Sequence, residues 1–259
     1  MSVAGPAPVA LAGCTWPEVD AMDGRALLLV PVGSVEQHGP HLPLDTDTRV
    51  AVELSHRAAR ALAAGGTAGG TAGGGPGGRC GAGIVAAVAP ALAYGASGEH
   101  AGFPGTLSVG TPVLAEIVVE LVRSARSSFA GVVLVSGHGG NAEALGAAVT
   151  RCRSEGDRVL VSGAGVAGGD AHAGRTETSM MLAIDAAAVR LPAAAPGRTE
   201  PLGRLLPELR ERGVRAVSPN GVLGDPTGAT AAEGRGLLRA ATEGLVAAVE
   251  RWWAPEGPG

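Results

Sequence analysis

Between Pro31 and Thr48 the chain runs through five side chains of metal-binding type: Glu36, His38, His41, Asp45 and Asp47. Glu36 and His38 are two residues apart, so in an extended segment both point to the same side. Pro40 and Pro43 stiffen the loop ahead of Asp47 and reduce the freedom lost when it orders. Mixed carboxylate and imidazole donors suit Zn2+, Mn2+ or Fe2+. A carboxylate such as Asp47 can bridge two such ions, which makes a binuclear centre one reading of the stretch. A polar turn with solvated acids is the other.

Three later stretches carry the same chemistry. Glu99 and His100 sit in a loop with Tyr94 and one of only two phenylalanines; they line a site, or His100 merely satisfies backbone groups. His138 ends an apolar run. Gly139 and Gly140 after it admit a close backbone approach, and Asn141 is a good N-cap for the next helix. Glu177 falls in the opening turn of a helix, where the dipole favours an ionised, ligating carboxylate; a plain first-turn acid is the alternative. His172, five residues earlier, is a candidate proton donor or substrate contact. The Gly/Pro loop around Asp225 reads as a simple loop, or else as a lid or an oligomer contact.

A scaffold must bring these stretches together. Short Val-rich runs at 26–32, 84–89, 132–135 and 159–161 lack polar alternation, as strands buried on both faces do. Helical spacing appears at 16–22, 48–64, 112–128, 141–153, 177–189 and 234–253. This order predicts an α/β fold with a mostly parallel sheet covered on both faces. In such sheets ligands collect at the carboxyl ends of strands, and the chemistry-bearing loops here all follow strands. The 259 residues suit one domain, with a loose lead-in over 1–24. The Gly-rich stretch 63–78 reads as a surface loop. No Gly-Lys-Ser/Thr closes it, so it is not a phosphate cradle.

Composition excludes other functions. A net charge of -4 argues against a nucleic-acid partner. Cys14, Cys80 and Cys152 are widely spaced and predict reduced thiols in a cytoplasmic protein. No secretory signal and no apolar run of transmembrane length is present, so no membrane association is expected. Aromatics make up 2% of the chain, which leaves the core to Val, Leu and Ala.

Four ordered motifs resemble the creatininase family of metal-dependent amidohydrolases. They are Gly33-Ser-Val-Glu-Gln-His-Gly-Pro-His-Leu-Pro-Leu with Asp47, Glu99-His-x-x-Phe-Pro-Gly-Thr106, Gly137-His-Gly-Gly-Asn141, and His172-Ala-Gly-x-x-Glu-Thr-Ser179. The resemblance spans about residues 27–236. It implies a three-layer α/β/α sandwich, two divalent metal ions per chain (Zn2+ with Fe2+ or Mn2+), and a homo-oligomer, frequently a hexamer. Carried over residue by residue, it implies Glu36, His38, Asp47, His138 and Glu177 as metal ligands, with Asp47 bridging. His172 matches a histidine near the substrate and, with Glu177, is a catalytic candidate. Glu99, His100 and Arg175 are candidate substrate contacts, although Arg175 also reads as a helix-surface arginine.

The chain departs from creatininase itself in two places. Creatininase has an acid where Gly140 stands, and it has tryptophans around creatinine, whereas Trp16, Trp252 and Trp253 lie at the ends of this chain. Creatinine is therefore not the expected substrate. The first and fourth runs are similar to those of family members that trim a radical-modified precursor peptide. That likeness implies hydrolysis of an amide to release a crosslinked Val-Tyr-derived C-terminal product. A cyclic-amide or formamide hydrolase of the same family is the second reading, and a non-catalytic metal-binding assembly subunit the third.

Overall fold

The computed structural model describes residues 9–65, 83–165 and 168–254. Among the described residues five strands, β1 (Val9–Ala10), β2 (Leu27–Val32), β3 (Ala86–Val88), β4 (Gly131–Ser136) and β5 (Val159–Gly163), form one sheet in the order β1-β3-β2-β4-β5. Every pairing is parallel, and β2 and β4 run in register from Leu27↔Gly131 to Val32↔Ser136.

The side chains of the central strands alternate between two separate cores. Leu27, Leu29, Val133 and Val135 face one, packed against α2 (Thr46–Ala63), α5 (Arg175–Asp185) and α7 (Ala231–Trp253). Leu28, Val30, Val132 and Leu134 face the other, under α3 (Thr111–Ala125) and α4 (Ala142–Ser154). A strand that buries both faces has no polar side to alternate with, which is why its sequence reads as an unbroken apolar run. The result is the expected three-layer α/β/α sandwich.

Two features differ from the sequence reading. The lead-in is held from Val9 onward: β1 pairs with β3, and α1 (Trp16–Asp20) starts with a capping box in which the Glu18 carboxylate accepts from Thr15 N at 2.7 Å. A further helix, α6 (Leu202–Val217), is absent from the sequence expectation; Pro207 lies inside it and Gly213 breaks it at φ 73°. It carries a small third cluster of Leu205, Leu209, Val214 and Val217 with Leu223. The Gly-rich stretch, beyond its first three residues, lies outside the described residues, as does Cys80. Among the described residues no helix is long and apolar enough to cross a membrane.

Candidate metal centre

Glu36 and His38 follow the carboxyl end of β2, Glu99 and His100 come after β3, His138 after β4, and His172 after β5, with Glu177 in the first turn of α5. Asp47 comes from the first turn of α2. Its approach depends on two glycines: a Cβ at Gly137 would overlap the Asp47 carbonyl, and one at Gly33 would overlap Thr48. The close approach read at Gly139 is absent, since nothing lies within 4 Å of a Cβ there. At Gly140 it holds, against Ala96 O, His138 and Glu99.

Asn141 occupies the N-cap position of α4, but its side chain makes no capping bond. It spans two strand ends instead: Ala96 N donates to Oδ1 at 2.9 Å, and Nδ2 donates to Gly33 O at 3.0 Å. Asn141→Ala would leave both buried backbone groups without partners. We expect a loss of about 2 kcal/mol or more in stability, measured by denaturant unfolding.

Three histidines are each fixed by a backbone carbonyl, which can only accept. His38 donates from Nδ1 to Glu36 O at 3.1 Å, His138 from Nε2 to Ala96 O at 3.2 Å, and His172 from Nε2 to Gln37 O at 2.8 Å. The opposite nitrogen of each ring, if neutral, is then a lone pair. His38 Nε2 lies 3.0 Å from Asp47 Oδ1 and 3.8 Å from Glu177 Oε2. His138 Nδ1 lies 3.3 Å from Asp47 Oδ2. His172 Nδ1 lies 3.7 Å from Glu36 Oε1.

A lone pair and a carboxylate oxygen this close need positive charge between them. In the metal-free chain only a proton can supply it. Burial alone would lower both rings, but Asp47 and Glu177 raise His38 to about 10, and Glu36, Glu99 and Asp47 raise His138 to about 9. Burial would raise Asp47 too, yet His38 and His138 hold it well below the usual carboxylate range. Glu36 and Glu177 stand above their usual range, chiefly through burial and the nearby Asp47 charge. Burial lowers His172, aided by His38 and His100.

Divalent cations fit this donor set. Glu36 is 0% exposed and neither of its carboxylate oxygens has a hydrogen-bond partner. Among the described residues no arginine pairs with Glu36, Asp47, Glu99 or Glu177. An anion buried without a partner is costly, and a metal ion removes the cost. Two donor sets stand side by side, Glu36/Asp47/His138 and His38/His172/Glu177, each with its atoms within 4.8 Å of one another. Asp47 offers Oδ2 to the first and Oδ1 to the second. Ser34 Oγ donates to Oδ2 at 2.6 Å and orients it. A third set, Glu36/His100/His172, is as closely grouped. His100 nevertheless accepts at Nδ1 from Gln37 Nε2 (2.9 Å), which places the hydrogen of the neutral ring on Nε2, 3.3 Å from Glu36 Oε1.

The other candidates fall around the centre. Glu99 Oε1 is 3.4 Å from His138 Nε2. His41 is buried against the Thr178 hydroxyl, 2.8 Å away, and Asp45 pairs with Arg49 at 2.8 Å; neither is in a donor set. The Arg175 side chain is 53% exposed and paired with Glu233 at 2.8 Å. Asp225 accepts from Thr227 within its own loop. Two contributors are not among the sequence candidates. Gln37 stands between Glu36 and His38 and contacts His100. Leu202, Leu206, Leu209 and Arg210 of α6 help line a cavity of ≈ 490 Å³ that reaches Asp47, His138, His172 and Glu177. Only the leucine spacing of α6 points to the latter.

The chain belongs to the creatininase family: the family model described as creatinine amidohydrolase matches residues 12–249. The mycofactocin precursor peptide peptidase of Mycobacterium ulcerans is 46% identical over 244 residues, covering 94% of this chain and 89% of that relative. Two solved creatininase structures align with TM-scores of 0.73 at 25% identity. A variant of Zn-Zn type covers 96% of this chain and 99% of its own. A form described as creatininase Mn covers 96% and 100%.

Proposed function

We propose that this chain is a metal-dependent amide hydrolase that cleaves a mycofactocin precursor peptide, releasing its crosslinked C-terminal Val-Tyr-derived product. The observation that carries the reading is the paired donor set around Asp47, with the unpartnered Glu36 carboxylate, at the floor of an open cavity. The substrate comes from the name of the Mycobacterium ulcerans relative, to which the likeness extends over nearly the whole chain.

In this reading Glu36, Asp47 and His138 hold one ion and His38, Glu177 and Asp47 the other, Zn2+ together with Fe2+ or Mn2+. When bound, such ions polarise an amide carbonyl and bring the pKa of a water toward neutrality. The protein supplies the remaining steps. His172 lines the cavity, and its Nε2 hydrogen is held by Gln37 O, so Nδ1 is free to take a proton from the attacking water and pass it to the leaving amine. Its lowered pKa keeps the ring neutral and ready to accept. Leu202, Leu206 and Leu209 offer an apolar wall for aliphatic or aromatic groups of the peptide, and Glu99 and Arg210 place opposite charges on the same cavity.

The test is the metal content of anaerobically purified protein, together with mass spectrometry after incubation with the modified peptide. About two ions per chain, as in two-metal hydrolases, and a released C-terminal fragment are expected. Two ions with turnover of a small formamide but not of the peptide would move the substrate assignment to the formamide class. No ion, before or after adding metal back, would end the hydrolase reading. Stripping with a chelator should also lower the melting temperature. At free metal a thousandfold above Kd each ion contributes about 4 kcal/mol to stability, and calorimetry of loaded and stripped protein reads the difference.

A further inference from the structure

Gln37 is 5% exposed, lies between two proposed ligands, and takes part in the proposed chemistry only through its backbone carbonyl. The orientation of its amide is determined. Gly39 N donates to Oε1 at 2.9 Å, so the other atom is the nitrogen; flipping the amide would set two donors against each other there. Nε2 then faces Gly221 O at 3.0 Å, His100 Nδ1 at 2.9 Å and His172 Nε2 at 3.0 Å. The last of these cannot accept, because His172 Nε2 already gives its hydrogen to Gln37 O. The two amide hydrogens therefore go to Gly221 O and His100 Nδ1. A neutral imidazole that accepts at Nδ1 carries its hydrogen at Nε2. His100 Nε2 lies 3.3 Å from Glu36 Oε1.

We propose that Gln37 and His100 are positioning residues: Gln37 holds His100 in the Nε2–H form, and the positive edge of that ring, 3.3 Å from Glu36 Oε1 without a hydrogen bond to it, favours the ionised Glu36 carboxylate for metal capture. His100 is then neither a metal ligand nor a substrate contact. The tautomers separate the four histidines into two kinds. In their neutral forms His38, His138 and His172 turn a lone pair inward, whereas neutral His100 turns a hydrogen inward. The turn over Gln37 is built for this contact. Gly221 adopts φ +79°, a Cβ there would overlap the Gln37 amide, and Gly221 N is tied to Ser218 O at 2.9 Å. Its carbonyl takes the second amide hydrogen and so leaves only one for His100. The role in metal capture rests on the metal-dependent reading, whereas the tautomer does not.

Two measurements on the full chain separate these. Long-range 1H–15N spectra of the histidine rings in metal-stripped protein report each tautomer, with His100 identified by the signal lost in His100→Gln. Protonation at Nε2 is expected, with that preference lost in Gln37→Met; a wild-type His100 protonated at Nδ1 would overturn the relay. Cobalt(II) titration, followed by its visible absorption, then reads metal capture. Partners of ligating groups typically contribute 10–100-fold in affinity, so Gln37→Met and His100→Leu should lose about that much. His100→Gln, whose amide nitrogen stands near the Nε2 position, should recover most of the loss, which a merely structural role would not predict. Wild-type affinity in both Gln37→Met and His100→Leu would overturn the proposal. Failure of the wild-type chain to bind cobalt would instead sink the metal reading, while the spectra would still decide the tautomer.

Discussion

Asp47→Ala should empty both halves of the centre at once, whereas Glu36→Ala should disturb one. The difference comes from where the two carboxylates stand. Asp47 turns Oδ1 to His38 and Oδ2 to His138, so one side chain serves both donor sets. Glu36 belongs to the His138 side and is far more weakly placed toward the other, with His172 Nδ1 at 3.7 Å. Without Asp47 the His38 and His138 lone pairs lose the anion they share, and Glu177 alone remains to balance an ion on the His38 side. Metal analysis should therefore find almost none in Asp47→Ala and one retained ion in Glu36→Ala. Metal ions supply several kcal/mol of transition-state stabilisation, so turnover of the peptide in Asp47→Ala should fall by roughly a thousandfold or more. Far-UV circular dichroism should be unchanged, because the first turn of α2 keeps its backbone. Unchanged metal content and turnover in both variants would remove these residues from the assignment.

Much of this could be read from the chain because the central strands β2, β3 and β4 are doubly buried. β2 and β4 have no polar face, so Leu27–Val32 and Gly131–Ser136 stand out as unbroken apolar runs, and the loop after each run lands at one end of the sheet. The candidate site residues stood out for a related reason: side chains of metal-binding type in the loops that follow such runs have few structural tasks. α6 was less visible, although Leu202, Leu205, Leu206 and Leu209 follow helical spacing, because Pro207 and the left-handed Gly213 interrupt the pattern. Gln37 and Asn141 were obscure for a different reason. Their partners are His100, Gly221, Ala96 and Gly33, remote in sequence, and an amide side chain carries no mark of which distant groups it will join. His41 and Asp45 show the converse. They have ligand chemistry and lie beside the ligand candidates in sequence, but the chain turns them toward Thr178 and Arg49.

The glycines show how a small residue can govern the centre without touching it. Gly137 directly follows β4, donates its N–H to Val32 O at 2.9 Å, and lies directly against the Asp47 backbone. A methyl group there would meet main chain on α2, which cannot rotate aside as a side chain can. The first turn of α2 would have to move, and Asp47 would move with it. Overpacking of this kind typically costs 1–3 kcal/mol, and for a chain of this size each kcal/mol lowers the melting temperature by about 2–4 °C. Gly137→Ala should accordingly melt about 4–10 °C lower and retain less metal than the parent chain. Gly139→Ala, two residues on, meets nothing within 4 Å and should stay within about 0.5 kcal/mol of the parent, as open sites do. Thermal melts and metal analysis of the two variants side by side make the comparison. If they behave alike, the approach of α2 to β4 does not place Asp47; if only Gly137→Ala loses stability and metal, backbone clearance between β4 and α2 sets the distance from Asp47 to His138.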